Sequence, residues 1–514
     1  MLKKCLIANR GEIAVRIIRA CRELKIETVV VYSEVDAHSL PVLLADEAYA
    51  IGGAAPSESY LKIDVLLEVA TKAGCDCVHP GYGFLSENAD FAQAVLDHGL
   101  TWIGPPPHAI RQMGNKTEAR ARMIQAGVPT VPGFDENPTE KADDARFLQE
   151  ASRIGYPLMV KAAAGGGGKG IRIVRQSDDL IEAIASARRE AQNAFGDAQI
   201  FLERYIEYGR HIEVQVIADR AGNTLHLFER ECSTQRRHQK IIEETPSPLL
   251  TPEQRQAIGE AAVQAAKAVG YVNAGTVEFI ATQSGEFFFL EMNTRLQVEH
   301  PVTELVTGVD LVKLQFRVAS GESLPFQQPD LHQRGHAIEC RLYAEDPQQG
   351  FLPATGTVHY FRPPVAPGVR VDTYLESGSE ISIYYDPMIA KIIVHAEDRA
   401  SAITRMQQAL RETVVLGVTH NIPFLQNLLM HPAFISGSVH TTFVDEHLDE
   451  LTPPVPPVDD FLLIAAAVDN FERMRQSSAP LSGSDSSDQD QYSPWHKQDG
   501  FRLSRPQPRR KQDA

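Results

Sequence analysis

The chain has 514 residues, of which 43% are hydrophobic and 23% are charged, and its formal net charge at pH 7 is −17. These values are ordinary for soluble globular proteins, and the length allows about two to four domains. The acidic balance argues against a general nucleic-acid-binding surface. No stretch approaches the roughly 20 apolar residues that a membrane span needs, and the first residues become polar too early for a secretory signal peptide.

Six cysteines are spread through apparently regular segments. Cys75-Asp76-Cys77 lacks the two-residue gap and the second cysteine pair that a zinc site requires. Free thiols are the simplest interpretation. Together with the polar N-terminus they predict a cytoplasmic protein.

Residues 1–112 are predicted to form a Rossmann-like domain. Residues 3–8 and 26–32 look like parallel strands, and the apolar residues between them recur at helical spacing, which is typical of a βαβ unit. The turn at 9–12 lacks the glycine fingerprint of dinucleotide-binding folds. A Rossmann-like pattern without evidence of dinucleotide binding is therefore expected.

The loop 79–88 is a candidate ligand contact. Gly81 and Gly83 flank Tyr82 and permit a close backbone approach to a ligand, although such loops are as often purely structural. Ser86 is predicted to cap a helix that begins near Glu87.

Residues 113–203 are predicted to hold linker helices and a lid. Lys116 is an isolated cation near their start. The strand-like runs 156–161 and 171–174 enclose a glycine-rich stretch, in which no Gly-Lys-Ser/Thr leads into a helix, so it is not a Walker A loop. Bare N–H groups on such a hairpin can cradle phosphates, and Lys161 can add charge. A flexible hairpin also suits a lid that excludes water.

Residues 204–446 contain the most informative pattern, a predicted antiparallel hairpin of 274–280 with 287–293. Placing Thr282 opposite Phe287 puts Glu278 opposite Glu291. Like charges at facing positions repel, and a divalent cation would reverse that interaction. Mg²⁺ takes oxygen ligands together with nucleotide phosphates. The register therefore predicts a Mg-ATP site on these two carboxylates and Asn293; the alternative is a surface hairpin with solvated carboxylates.

The polar series continues beyond this hairpin. Alternation from 291 to 299 predicts that Arg295, Gln297 and Glu299 share one face of an extended strand. The cationic run 235–240 joins two strand-like segments and is placed to meet anionic substrates, or else is a solvated face. Residues 447–514 are predicted to contain a linker, a helix over 461–474 and disorder after about 476.

Together these motifs resemble the ATP-grasp biotin carboxylases. Other ATP-grasp ligases share the fold and the metal pair, but not the Tyr82 loop together with Arg341. The resemblance runs to about residue 446, and its motifs stand in the family's order at 8–12, 79–88, 161–170, 235–240, 291–301 and 335–347. It implies an α/β ATP-grasp fold with a Rossmann-like N-terminal domain, a mobile Gly-rich lid and a C-terminal mixed α+β domain.

The resemblance also implies the site residues. ATP phosphates would be held by Lys116, Lys161, Gly167 and Gly168. The nucleoside would be framed by Glu203, Arg204, Tyr205, Ile206, His211, Gln235 and His238. Mg²⁺ or Mn²⁺ would be held by Glu278, Glu291 and Asn293. Bicarbonate would contact Lys240, Arg295, Gln297 and Val298, with Glu299 as the general base. The biotin enolate would be stabilised by Arg341 beside Tyr82.

The implied activity is carboxylation of biotin by bicarbonate and ATP through carboxyphosphate, the first half-reaction of an acyl-CoA carboxylase. None of the nine methionines precedes a lysine, so the Met-Lys biotin acceptor is missing and biotin is expected on a separate biotin carboxyl carrier protein. Carboxyltransferase subunits and a homodimer are the other implied partners.

Two alternatives stay open. Residues 493–503 faintly resemble the segment after the carboxylase domain in 3-methylcrotonyl-type subunits, so the chain could be a shortened subunit of a methylcrotonyl- or propionyl-CoA carboxylase. The other alternative is an inactive paralogue that serves as a scaffold.

Overall fold

We describe the protein from a computed structural model, which covers residues 2–135, 143–162, 172–195, 199–237, 239–454 and 460–477. Among these residues, no helix is long and apolar enough to cross a membrane. All six cysteines are buried and form no disulfides, as the sequence predicted.

The N-terminal region is built on a parallel five-stranded sheet with the order β3-β2-β1-β4-β5. Its elements are β1 Lys4–Ile7, α1 Gly11–Leu24, β2 Glu27–Tyr32, α2 Leu40–Leu44, β3 Glu47–Ala50, α3 Ile63–Lys72, β4 Cys77–His79, α4 Ala89–Asp97 and β5 Thr101–Trp102. The predicted βαβ unit is confirmed, because β1 and β2 pair in parallel across α1, whose apolar face is buried.

The predicted helix cap in the 79–88 loop was wrong. Helix α4 begins at Ala89, and the Asn88 side chain accepts a hydrogen bond from the backbone N–H of Phe91. Asn is as good a cap as Ser, and only Asn88 stands directly before the first helical residue. Ser86 lies two residues too early and is buried.

The second region contains a smaller four-stranded sheet with the order β6-β9-β7-β8. Its elements are α5 Pro107–Gly114, α6 Lys116–Gln125, β6 Gly133–Asp135, α7 Asp144–Ile154, β7 Leu158–Ala162, β8 Arg172–Val174, α8 Leu180–Phe195 and β9 Ile200–Arg204. Strands β7 and β8 pair antiparallel, which confirms strands on both sides of the glycine-rich stretch. The glycines at 165–168 lie outside the described residues.

The large sheet has eight strands in the order β14-β13-β10-β11-β12-β15-β22-β20, and all neighbours are antiparallel. Its first part comprises β10 Arg210–Ala218, β11 Thr224–Arg236, β12 Gln239–Thr245, α9 Pro252–Ala268, β13 Asn273–Ala281, β14 Phe287–Asn293, α10 His300–Thr307, α11 Leu311–Ala319 and β15 His336–Tyr343. Helix α9 begins at a capping box of Thr251 and Gln254 and packs its small residues on this sheet.

The C-terminal region adds two strands to the large sheet and covers it with helices. Its strands are β16 Glu345–Asp346, β17 Leu352–Pro353, β18 Gly356–Thr357, β19 Tyr360–Arg362, β20 Val369–Thr373, β21 Glu380–Ile381, β22 Met388–Ala396 and β23 Val414–Leu416. Its helices are α12 Arg399–Glu412, α13 Ile422–Met430, α14 Pro432–Ile435, α15 Phe443–Glu446, α16 Leu448–Leu451 and α17 Asp460–Ser477. The predicted helix over 461–474 is confirmed as part of α17; the predicted disorder concerns residues outside the described ones.

Candidate active site

The hairpin of β13 and β14 has the predicted register where it matters for the site. Glu278 pairs with Glu291, and Thr276 pairs with Asn293. Towards the turn the pairing shifts by one residue, so Ala281, not Thr282, faces Phe287. The physical reason is a β-bulge, in which one extra residue is inserted into a strand and leaves the ladder. That expectation was therefore wrong by one residue.

Lys240 lies at the centre of a cluster of carboxylates on the large sheet. Its Nζ lies 2.6 Å from Glu213 Oε2, 2.9 Å from Glu278 Oε1 and 2.7 Å from Glu299 Oε1. Burial disfavours the ammonium ion, but the three carboxylates outweigh it, so the pKa of Lys240 is raised well above its usual value. The lysine is therefore a fixed cation that holds three acids from β10, β13 and the start of α10 together.

Glu299 lies directly before α10 and is completely buried. Its second oxygen, Oε2, accepts a hydrogen bond of 3.0 Å from Arg341 Nη2, and Arg341 Nε lies 2.6 Å from Glu243 Oε1. Burial alone would raise the pKa of Glu299, but Lys240 and Arg341 hold it well below its usual value. Burial raises the pKa of Glu243 to about 7, even though Arg341 opposes that shift. The two acids that share Arg341 thus differ in their protonation behaviour.

The residues assigned to a metal lie beside this cluster. Besides Lys240, the Glu278 carboxylate accepts hydrogen bonds from Asn293 Nδ2 at 2.8 Å and Gln297 Nε2 at 3.2 Å. His211 Nε2 lies 3.0 Å from its other oxygen. Burial opposes its ionisation, yet Lys240 and His211 keep the pKa of Glu278 far below the usual range.

Glu291 is more accessible than Glu278. Its side chain is 45% exposed, and its carboxylate lies 3.7 Å from Lys116 Nζ. Glu291 and Lys116 line a cavity of about 210 Å³, together with Glu87, Asn293 and Thr294. Two carboxylates at facing positions and one amide oxygen form a donor set that fits Mg²⁺, because Mg²⁺ prefers oxygen ligands and keeps positions for waters and phosphates. A second set of close donors consists of Glu278, His211 and Glu213, whose ligand atoms all lie within 4.8 Å of one another.

The polar series after the hairpin converges, but not as an extended strand. Strand β14 ends at Asn293, so the strand predicted to continue to 299 was wrong. Hydrogen bonds within the loop replace the strand geometry. Arg295 Nη2 lies 3.1 Å from Asn293 Oδ1, and its Nη1 lies 2.6 Å from Gln297 Oε1. Arg295 Nε also lies 2.9 Å from Glu87 Oε2, which links this loop to the N-terminal region.

Tyr82 and Val298 are both connected to the buried residue Lys391, Tyr82 through Glu12 and Val298 directly. The Tyr82 hydroxyl donates a hydrogen bond to the Glu12 carboxylate. Glu12 Oε1 lies 3.0 Å from Lys391 Nζ, and Lys391 Nζ donates a hydrogen bond of 2.7 Å to the Val298 carbonyl oxygen. The loop of Tyr82 and the loop of Val298 are therefore connected through Lys391.

The residues expected around the nucleoside are spread along β9, β10 and β11. Lys161 and Glu203 form an ion pair on neighbouring strands. Arg204 Nη1 lies 3.8 Å from Glu286 Oε2, so this side chain is directed to the hairpin turn. Tyr205 donates its backbone N–H to the Pro157 carbonyl oxygen.

The remaining expected nucleoside contacts lie nearer the charged cluster or outside the described residues. Ile206 is half-buried two residues after the end of β9, and Gln235 is buried opposite Lys240 in the β11–β12 ladder. Gly167, Gly168 and His238 lie outside the described residues, so their predicted contacts stay predictions.

Sequence reasoning missed several groups in this cluster. Arg230 is completely buried, with its Nε 2.5 Å from Glu213 Oε1 and its Nη1 2.8 Å from Gln215 Oε1. Glu213 and Gln215 alternate along β10, and Arg230 pairs with Glu213 from the facing strand β11. Glu243, which shares Arg341, stands three residues after Lys240 and carried no pattern of its own. Glu12, Glu87 and Lys391 also went unassigned, since each acts on residues far away in the chain.

Comparison with family models divides the chain into three matches. The biotin carboxylase N-terminal domain matches residues 1–110, the ATP-binding domain of the carbamoyl-phosphate synthase L chain matches residues 115–327, and the biotin carboxylase C-terminal domain matches residues 339–446.

The chain is also similar to curated proteins from bacteria and eukaryotes. It is 53% identical over 448 residues to biotin carboxylase 1 of Bacillus subtilis, covering 87% of this chain and 99% of that protein. It is 48% identical over 505 residues to the mitochondrial methylcrotonoyl-CoA carboxylase subunit alpha of Dictyostelium discoideum, covering 98% of this chain and 71% of that protein.

Among solved structures, the biotin carboxylase domain of a thermophilic 2-oxoglutarate carboxylase bound to bicarbonate is 45% identical, with a TM-score of 0.84 over 88% of this chain and 100% of that one. The related domain of Hydrogenobacter thermophilus was solved as a dimer with MgADP, ADP and bicarbonate, with a TM-score of 0.80 and 47% identity over 88% of this chain and 100% of that one. The predicted ATP-grasp architecture with a Rossmann-like N-terminal region is confirmed. The chain belongs to the biotin carboxylase family.

Proposed function

We propose that this chain is an ATP-dependent ligase that carboxylates biotin with bicarbonate, through carboxyphosphate, as the first half-reaction of an acyl-CoA carboxylase. The observation that carries the proposal is the position of Glu299. A completely buried carboxylate lies between Lys240 and Arg341, next to the facing carboxylates of the β13–β14 hairpin. Such a cluster offers a base, anion-binding cations and metal ligands within one site.

The proposed first step is activation of bicarbonate, which is a poor nucleophile. Lys240, Arg295, Gln297 and the Val298 backbone would bind the anion, and Glu299 would remove its proton for attack on the γ-phosphate. Arg295 would then stabilise the charge that develops during phosphoryl transfer. Carboxyphosphate hydrolyses in water, so the glycine-rich segment between β7 and β8 would serve as the lid that excludes water.

ATP and a divalent cation are the proposed cofactors. Glu278, Glu291 and Asn293 would hold Mg²⁺ or Mn²⁺, which would neutralise charge on the ATP phosphates. Phosphate contacts are proposed for Lys116, Lys161, Gly167 and Gly168. Nucleoside contacts are proposed for Glu203, Arg204, Tyr205, Ile206, His211, Gln235 and His238.

Biotin is the proposed acceptor, with Arg341 stabilising its enolate beside Tyr82. We propose that biotin arrives on a separate carrier protein in the cytoplasm, and that carboxyltransferase subunits and a second copy of this chain complete the assembly. The proposed division of the chain is a Rossmann-like domain at 1–112, linker helices and lid at 113–203, the catalytic core with the C-terminal domain at 204–446, and a tail at 447–514.

A second candidate is the same activity within a methylcrotonyl-type carboxylase. It is supported by one observation, namely that similarity to the Dictyostelium subunit covers 98% of this chain. Co-purification with a methylcrotonyl-CoA carboxyltransferase, rather than with one that uses another acyl-CoA, would distinguish the two candidates.

The proposed activity is tested by measuring ADP release with free biotin and bicarbonate, for the wild type and for Arg295→Ala. Turnover that needs both substrates and is lost in the variant would support the site. A folded wild type that shows no such turnover, even with a cognate biotin carrier, would refute the proposal and favour an inactive scaffold.

A further inference from the structure

Lys391 is a buried lysine in the middle of strand β22, with no exposed surface. In the sheet it stands between Arg341 on β15 and Asp372 on β20. A buried ammonium ion is unfavourable unless it is paired and hydrogen-bonded. A lysine at this position therefore needs a structural or functional reason that an apolar strand residue could not supply.

The partners of Lys391 come from two different regions of the chain. Its Nζ lies 2.7 Å from the Val298 carbonyl oxygen, in the loop that we assign to bicarbonate. It also lies 3.0 Å from Glu12 Oε1, at the start of α1 in the N-terminal region. Asp372 is more distant, at 3.8 Å. One ammonium group thus joins the N-terminal region to the loop before α10.

Glu12 carries this connection further, to Tyr82. The Tyr82 hydroxyl donates to the same oxygen, Glu12 Oε1, that faces Lys391, and Lys391 Nζ lies 6.0 Å from the centre of the Tyr82 ring. The other oxygen, Glu12 Oε2, has no partner among the described residues. Without Lys391, the buried Glu12 carboxylate would have no cation paired with it among the described residues and would keep the hydrogen bond from the Tyr82 hydroxyl.

The strand that carries Lys391 is itself anchored to the N-terminal region. Just before β22, the Tyr385 hydroxyl donates to the Ala54 carbonyl oxygen at 2.6 Å, and the Arg10 guanidinium lies 4.1 Å from the centre of the Tyr385 ring. The strand that carries Lys391 is therefore fixed against the same N-terminal region that contains Glu12 and Tyr82.

We propose that Lys391 is a positioning residue that sets the distance between the Tyr82 loop and the Val298 loop, and thereby the distance between biotin and the carboxyl group that it receives. This inference rests on the proposed function. Lys391 is not placed in contact with either substrate; it acts through the Val298 carbonyl and through Glu12. Transfer between two bound groups is sensitive to such alignment, since a misplacement of about 1 Å can lower a rate about 100-fold.

Two variants separate this role from general support of the fold. Lys391→Met removes both connections, so we expect kcat for biotin-dependent ADP release to fall about tenfold or more, because the bound groups are misaligned. Because the loops that bind the two substrates also shift, we expect KM for free biotin and KM for bicarbonate to rise about tenfold or more, with KM for ATP changed less than twofold. Glu12→Gln removes the charge that links Lys391 to Tyr82 but leaves the bond to Val298. For this variant we expect a rise in KM for biotin alone.

The matched control is Lys4→Met. Lys4 is also a strand lysine paired with a carboxylate, at 2.6 Å from Glu47, but it lies on β1 away from the site. We expect its three KM values to stay within twofold of the wild type. Equal rises of all three KM values in Lys391→Met, or unchanged KM values in the folded variant, would overturn the proposal.

If Lys391→Met does not fold, Glu12→Gln decides, and an unchanged KM for biotin in that variant overturns the proposal. Biotin-dependent turnover of the wild type is measured first. Its absence both with free biotin and with a cognate biotin carrier refutes the proposed function, whereas its presence with unchanged variants refutes only the role of Lys391.

Discussion

Replacing Glu299 by Gln tests the proposed base most directly. The amide keeps the shape of the carboxylate and one acceptor oxygen, but it cannot take a proton from bicarbonate. A positioned general base contributes about 10²–10⁴-fold, which corresponds to about 3–5 kcal/mol of transition-state stabilisation. We therefore expect kcat for biotin-dependent ADP release to fall by about that factor, with KM for ATP nearly unchanged.

The structure predicts that this variant still folds. Lys240 keeps its hydrogen bonds to Glu213 and Glu278, and Arg341 keeps Glu243. Glu299 accepts one hydrogen bond from Lys240 and one from Arg341, and the amide oxygen can keep one of them. The loss of the other is about 1.5–3 kcal/mol of the free energy of unfolding. Urea unfolding can measure a loss of this size, and we expect a chain of 514 residues to stay folded despite it.

Glu244→Gln is the matched control for this prediction. Glu244 is also a buried acid held by two cationic partners, with its Oε2 2.7 Å from His336 Nε2 and 2.7 Å from Arg399 Nε, but it lies outside the proposed machinery. We expect the Glu244→Gln variant to be less stable than the wild type but to have the same kcat. A kcat for Glu299→Gln within tenfold of the wild type, in a folded variant, would refute the assignment of the base.

Three further predictions concern titration and metal. Burial would raise the pKa of Glu244, but His336 and Arg399 lower it to about 2. The ionised carboxylate therefore contributes about 3 kcal/mol to the free energy of unfolding above pH 4.5, and this contribution is lost as the pH falls towards 2. Urea unfolding of the wild type and of Glu244→Gln across that pH range measures the contribution. Burial raises the pKa of Glu339 well above its usual value, and neither of its carboxylate oxygens has a partner among the described residues, so the native state holds a proton that the unfolded chain releases. We expect Glu339→Gln to raise Tm relative to the wild type at pH 8 but not at pH 4, and an equal change at both would contradict this. Glu291→Gln should raise the Mg²⁺ concentration needed for half-maximal ADP release without lowering Tm, because this carboxylate is half-exposed.

The register of the hairpin could be predicted because its two strands are close together in the chain. Period-2 alternation and one turn fix which carboxylates face each other, and Glu278 does pair with Glu291. The bulge could not be predicted, because it breaks the period-2 alternation on which the prediction depended. The extra residue lies in β14, where the successive residues Phe288 and Phe289 are both buried and Leu290 is 42% exposed. The same local rules correctly gave the βαβ unit and the strands around the glycine-rich stretch.

The connections of Lys391 could not be read from local patterns. Strand β22 looks like an ordinary apolar strand with one interior lysine, and nothing near it in the chain indicates its partners Glu12 and Val298. These contacts depend on how three distant regions pack together. The resemblance supplied Arg341, but its second acid, Glu243, became visible only through the pairing of β12 with β15.

The low pKa of Glu299 raises a question about its proposed role, because a weak base is poorly suited to deprotonate bicarbonate. Burial would raise its pKa, but Lys240 and Arg341 both bind it and keep the pKa low. In the proposed reaction, an arriving bicarbonate would compete for Lys240, and biotin bound beside Tyr82 would compete for Arg341. Each hydrogen bond that turns from Glu299 to a substrate removes part of the stabilisation of its charged form, so its pKa rises. Under the proposed assignment, Glu299 would thus become a stronger base only when both substrates are bound, which would limit wasteful breakdown of carboxyphosphate.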